Sequence, residues 1–206
     1  MSVESLKYEV MRREGAMELR RYAPYLTARV SVHATTYNEA AYAGFGALAD
    51  YIFGNNSAAG SIAMTVPVTA AREGGQRIEM TAPVTSERVR NDLLGDALPL
   101  CTTHCEGVYA VRFTMPSRFA TIDSLPRPND PRVALEQVPE HLAVALRFGG
   151  RLDDEAVADA VAKLRAWIAS EGLTEAGEPE TAQFDAPWKP GFARHNEVLI
   201  PVSPTD

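Results

Sequence analysis

Cysteine is nearly missing from this chain: two of 206 residues, Cys101 and Cys105 in "CTTHC", with His104 between them. That excludes a small fold stapled by disulfides. A closed zinc site wants four ligands, and no second Cys or His pair stands at finger-like spacing, so the pair reads as a redox pair or an incidental pair in a loop. Long apolar runs are missing as well. No segment approaches the roughly 20 apolar residues that span a bilayer, and Met1-Ser-Val-Glu-Ser lacks the basic stretch and apolar run of a secretory leader. Positive charge is scarce and scattered: 20 Lys and Arg face 27 Asp and Glu, a formal net charge of −7, and no basic block offers the phosphate contacts of a nucleic-acid binder. Nucleic acid and membrane are therefore not expected as partners, and the reading is a soluble, cytoplasmic protein. Catalytic signatures are missing too: no G-x-S-x-G elbow, no H-E-x-x-H pair, no Walker loop and no dinucleotide fingerprint.

What is present is a composition, 46% hydrophobic and 23% charged, that fits one globular domain with a sizeable core. From Thr36, "TYNEAAYAGFGALADYIFGNN" opens with the capping box Thr36-x-x-Glu39, carries apolar Ala41, Phe45, Leu48 and Ile52 on one face, and stops at Gly54-Asn55. A second helix is predicted from Asp153, with acids in its first turn, a stripe of Val157, Val161, Leu164 and Ile168, and a stop at Gly172. Each member of the second stripe stands 116 residues after its counterpart in the first. The same offset carries Leu19, Tyr22, Leu26, Ala28 and Val30 onto Leu135, Val138, Leu142, Val144 and Leu146, across turns holding Pro24 and Pro139. The chain therefore reads as a single domain with an internal pseudo-repeat, about 6–85 and 132–202. Each half is a strand pair around a proline turn, a helix, then further strands near Ile62–Thr69, Ile78–Thr85, Glu180–Phe184 and Glu197–Val202.

Two of those strands are near copies, "SIAMTVPVTA" and "RIEMTAPVTS". Ile62, Met64, Val66 and Val68 share one parity, as do Ile78, Met80, Ala82 and Val84, so each offers an apolar face to one core. Gly74-Gly75 between them suits a reversal. Pro67 and Pro83 cannot donate to a ladder, so the strands should bend or run out there, as in a distorted or incompletely closed barrel. Met64 and Met80 suit either core packing or the lining of a pocket.

"LADYIFGNN", "IAMTVPVT", "IEMTAPVTSE", "VRFTMPSRFATIDSLPRPNDPRV" and "FDAPWKPGFARHNEVLIPV" stand in order from about Tyr8 to Val202. Together they resemble the SOUL, or haem-binding protein, family. The resemblance implies an α+β fold: a distorted antiparallel β-barrel of two similar strand-helix-strand halves with a helix packed on each, related to bacterial effector-binding domains. It also implies non-covalent binding of haem or another tetrapyrrole, a hydrophobic planar small molecule, in an apolar cleft. Mapped position by position, the cleft takes Tyr42, Phe45 and Ala49 from the first helix, and Trp188 and Phe192 from the proline-rich segment "APWKPGF", an aromatic pair suited to cover a flat ligand. Phe45 also belongs to the helix stripe, which is where core residues stand.

The chain departs from the family in two places. Where some members carry a histidine put forward as an iron ligand it has Arg21, whose guanidinium offers iron no lone pair; and where some carry basic residues near the cleft it has Tyr42 and Asp50. None of His33, His104, His141 and His195 has a partner motif, so no axial ligand is assigned. Asp153-Asp154-Glu155 read as helix-start charges rather than a metal cluster. Glu79, out of phase with Ile78 and Met80, faces either solvent or the hollow of a barrel, where it would be the carboxylate of a small-molecule hydrolase or dechelatase. The expected function is a non-enzymatic tetrapyrrole binder; such an enzyme and a cofactor-free interaction module are the alternatives.

Overall fold

Both helices form where their end signals stand. In the structure, a computed structural model describing residues 4–57, 76–79, 81–89, 100–101, 107–150, 152–184, 190 and 194–205, Thr36 Oγ1 accepts from the Glu39 amide at 3.1 Å and Glu39 Oε2 accepts from the Thr35 amide. Asp153 caps the second helix in the same way, on the Ala156 amide. Gly54 and Gly172 follow the helices at φ +119° and +65°, conformations a side chain disfavours. The elements are β1 (Tyr8–Glu14), β2 (Met17–Tyr22), β3 (Tyr25–Ala34), α1 (Tyr37–Ile52), β4 (Val84–Val89), β5 (Gly107–Thr114), β6 (Ala134–Val138), β7 (His141–Phe148), α2 (Asp154–Ser170), β8 (Leu173–Glu175), β9 (Glu180–Gln183) and β10 (Asn196–Pro204). Neither helix is long and apolar enough to cross a membrane.

The strands form one mixed-length sheet in the order β6-β3-β5-β4-β9-β10-β7-β2-β1, antiparallel along this path, with β8 added to β10. The α+β expectation with two packed helices holds, but among the described residues the sheet is open rather than a closed barrel. β1 is exposed along its whole length and carries Glu9, Arg12, Arg13 and Glu14, charges that blunt a free edge instead of joining it to another.

The strands related by the offset of 116 pair in a way the sequence reading did not anticipate. β2 and β3 flank Pro24 but do not pair; nor do β6 and β7 around Pro139. Each half lends its first strand to the other: β2 pairs with β7, Leu19 opposite Val144, and β6 pairs with β3, Leu135 opposite Ala28. Those two pairs are the same pair under the offset. The halves meet at the centre, where β4 runs beside β9.

One face of the sheet carries both helices. Leu26, Ala28, Val30 and Val32 of β3 alternate onto that face with Val111 and Phe113 of β5, and pack under Leu48, Tyr51 and Ile52 of α1. Val144 of β7 and Val198, Ile200 and Val202 of β10 pack under Val157, Leu164 and Ile168 of α2. Fully burying such side chains contributes about 1.5–3 kcal/mol each. α1 lies closest to the sheet at Gly44, where an added Cβ would stand 2.7 Å from Val111 Cβ; at Gly46, two residues on, it would meet nothing within 4 Å.

The second proline strand breaks at Pro83, as its missing donor requires: Thr81–Ala82 forms a short bridge with Glu4–Ser5, and β4 resumes at Val84. Ile78 is buried in the core below α1. The first copy from Ile62 to Thr69, Gly74-Gly75, Met80, His104, Cys105, Trp188 and Phe192 lie outside the described residues.

Candidate functional site

The helix-wall residues of the expected cleft separate by burial. Ala49 is 8% exposed and belongs to the buried side of α1, while Tyr42 is 55% exposed and stands clear of it. Phe45 lies between them, half-buried, its ring 5.3 Å from that of Phe113 in an edge-on contact. The root of the "APWKPGF" segment is brought toward this wall by the sheet. Gln183, at the end of β9, is opposite Val84 of β4, and Val84 is opposite Phe113. Two strand spacings, about 10 Å, therefore separate that root from the ring that holds Phe45. Gln183 shares Val84's face, the one under α1, and its amide Nε2 is buried with no hydrogen-bond partner among the described residues, a donor whose desolvation they leave uncompensated.

These residues fit the ring of a tetrapyrrole, not an imidazole-held iron. An apolar wall, an exposed aromatic and an orphaned donor suit a flat macrocycle with polar edges. The described histidines stand elsewhere. His33 follows Val32 on the opposite parity of β3, and His141 and His195 line grooves on the face without helices. Among the described residues, no three His, Cys, Asp or Glu side chains gather to hold a metal.

Among the described residues, one depression lies at an end of the sheet and two more run along its helix-free face. One of about 310 Å³ lies beside Pro24, between Leu6, Tyr25 and Phe119. A narrow trough of about 40 Å³ follows, floored by Ala143, Ala182 and Leu199 and flanked by Tyr22, Tyr25 and Phe184. The third, about 570 Å³, opens by the β1–β2 hairpin. Glu180 reaches the trough, and burial pushes its carboxyl above the ordinary range, with Arg112 pulling partly back. Arg112 is shared: its Nη1 is 2.7 Å from Glu87 and 3.7 Å from Glu180, and its Nε 3.8 Å from Glu136. Between trough and third groove sits Arg20, 3% exposed, which donates to Glu197 through Nη1 at 2.5 Å and Nη2 at 3.0 Å and to Glu18 through Nε at 2.8 Å. Burial would raise Glu197, but Arg20, helped by His195, more than offsets it and holds the carboxyl low.

Sequence reasoning missed this face. Arg20, Glu180 and Glu197 alternate out of phase with the core, which reads as solvent exposure. A signal did exist: Arg20 and Glu136 occupy equivalent positions under the offset of 116, a charge at the same place in two strands whose neighbours at 19 and 135 are both leucine. Glu79, by contrast, is in solvent, its side chain 79% exposed and 3.7 Å from Arg118, and the carboxylates that line the trough are Glu180 and Glu197.

Residues 3–201 match the family described as SOUL heme-binding protein. None of the curated proteins matches the sequence. Among solved structures, the EcmrR C-terminal domain aligns with a TM-score of 0.60 and 12% identity over 96% of this chain and 99% of that one. EcmrR in a cryo-EM complex with DNA aligns at 0.61 and 10% identity over 92% of this chain and 57% of that one. A hydrolase from Listeria innocua aligns at 0.54 and 11% identity over 94% of each. At such identities the likeness is one of fold: an open α+β arrangement shared with effector-binding-like domains.

Proposed function

The chain belongs to the SOUL haem-binding family, and from that premise we propose that it holds haem or a related tetrapyrrole, non-covalently, between the outer side of α1 and the segment joining β9 to β10. Tyr42 and Phe45 form one wall with Ala49 at its buried base, and Trp188 and Phe192 of the joining segment are the aromatic residues assigned to the other. The observation that carries the reading is the register from Gln183 through Val84 and Phe113 to Phe45, which supports a cleft drawing on both elements. Its apolar surface buries the macrocycle, and Gln183 Nε2 donates to a carboxylate or other polar edge group. When bound, the group supplies an iron centre; these residues supply burial and orientation. No catalytic step is assigned to them.

The test is a titration with haemin followed at the Soret band. Tyr42 is exposed, so Tyr42→Ala should leave the fold intact and weaken binding about tenfold, the scale of one aromatic contact. Trp188→Ala should weaken it further. Unchanged titrations in both variants would refute the location, and no Soret change in the parent protein would refute the function.

A further inference from the structure

The large groove beside the β1–β2 hairpin is rich in arginine in a negatively charged chain. Among the described residues Arg13, Arg20, Arg147 and Arg194 line it with Glu18 and Glu197, while the formal net charge of the whole is −7. Both glutamates are already engaged. Glu197 receives Arg20 Nη1 on Oε2, and Arg20 Nη2 together with His195 Nε2 on Oε1. Glu18 is divided between Arg20 and Arg13. Arg147 stands directly across the β7–β10 ladder from Glu197, the position where a cross-strand ion pair would form. It makes no ion pair among the described residues, since the carboxylate opposite is filled. Its exposed guanidinium is left as a fork of charged donors facing a cavity of about 570 Å³, the geometry that takes a carboxylate through two bonds.

An aromatic surface lies next to that charge. The groove and the apolar trough share Tyr8, Arg20 and Glu197 as lining, so the two adjoin across those side chains. Tyr8 is 40% exposed. Its ring is fixed from below by the Arg20 guanidinium, 4.1 Å from the centroid, and from the side by Tyr22, 5.4 Å away. A ring so held, next to an unpaired arginine, matches a ligand that is flat and apolar at one end and anionic at the other. An inorganic anion would leave Tyr8 unused, and a cation would meet the arginines' repulsion.

We propose that this groove binds a planar aromatic carboxylic acid, its ring against Tyr8 at the mouth of the trough and its carboxylate on Arg147, with Arg13 beside it. The site lies on the opposite face of the sheet from the α1 cleft.

The test uses one aromatic body with three head groups: 1-pyrenebutyrate, 1-pyrenebutanol and a pyrenebutyl-trimethylammonium salt, titrated at low salt into the full chain and followed by pyrene fluorescence. The acid should bind tightest. Arg147→Gln, which keeps one neutral donor but loses the charge and the second bond, should weaken the acid at least about tenfold and leave the alcohol unchanged. Arg88→Gln, an exposed arginine on the α1 side, should change neither. Equal binding of acid and alcohol, or an acid preference that survives Arg147→Gln, would overturn the proposal. Tightest binding of the ammonium would overturn it in favour of a cation on Glu180. Haemin titration of Arg147→Gln separates the two faces: unchanged haemin binding beside weakened pyrenebutyrate is expected, whereas joint loss would place one ligand in this groove and overturn the two-site assignment.

Discussion

Gly44 and Gly46 lie two residues apart in α1, and the same substitution at each should shift stability in opposite directions. Replacing a helix-interior glycine by alanine contributes about 0.8–1 kcal/mol through backbone entropy alone. At Gly46 nothing opposes that gain, because a Cβ there meets nothing within 4 Å. At Gly44 the new Cβ would fall 2.7 Å from both Cβ and Cγ2 of Val111 and 3.0 Å from Cγ1. Val111 is fully buried in β5 and β-branched, so it cannot turn away; α1 must lift instead. Overpacking of this kind costs about 1–3 kcal/mol, which outweighs the helix gain and leaves Gly44→Ala about 1 kcal/mol less stable. For a chain of this length that is a drop of about 2–4 °C in Tm, with Gly46→Ala rising by a similar amount. Urea melts with constant slope would measure both. Adding Val111→Ala should recover part of the loss, so the double variant is more stable than the two single changes summed. A Gly44→Ala protein as stable as its parent, or strict additivity, would refute the account of how α1 is seated.

Other consequences follow from the buried polar groups. Arg20→Met strands Glu197 in the sheet without its partner and should cost about 3–5 kcal/mol, read as a fall in the urea midpoint. Glu197 is held low, so the stability it supplies is complete above the ordinary carboxylate range and lost as pH falls through the folded value. Glu197→Gln should therefore flatten the acid limb of a stability–pH curve. Glu180 has the opposite sign: its raised carboxyl is best tolerated protonated, and stability is lost as pH rises through the folded value. Glu180→Gln should be more stable than the parent at pH 8, with the gap closing toward pH 4. Gln183→Met removes an orphaned donor, and should raise stability by about 1 kcal/mol in melts while weakening haemin. Because no described histidine faces the α1 cleft, metal-free protoporphyrin IX should bind within a fewfold of haemin; a hundredfold preference for haemin would reveal an iron ligand.

Both helices and the faces that β3, β7 and β10 bury were legible because they rest on periodicity, which one chain displays without knowing its neighbours. Strand partners were not. Leu19 and Leu135 carry the same pattern, so alternation cannot say which of them lies beside Ala28; only the assembled sheet decides. The α1 wall was legible from the family's motifs, although burial divides Tyr42 from Ala49 in a way no motif signals. The groove over Arg20 was hidden for a related reason. An arginine in a strand reads as solvated until the fold places Glu197, far along the sequence, against it.

The exchange of first strands between the halves has a consequence for the chain as a physical object. Cut near residue 130, it would yield two pieces that share three ladders, β6 on β3, β9 on β4 and β7 on β2, none of which either piece can fill from its own sequence. Neither piece has a reason to be folded by itself, and each carries what the other is missing. Mixed together they should reassemble, and two copies of either piece could imitate the whole by trading strands.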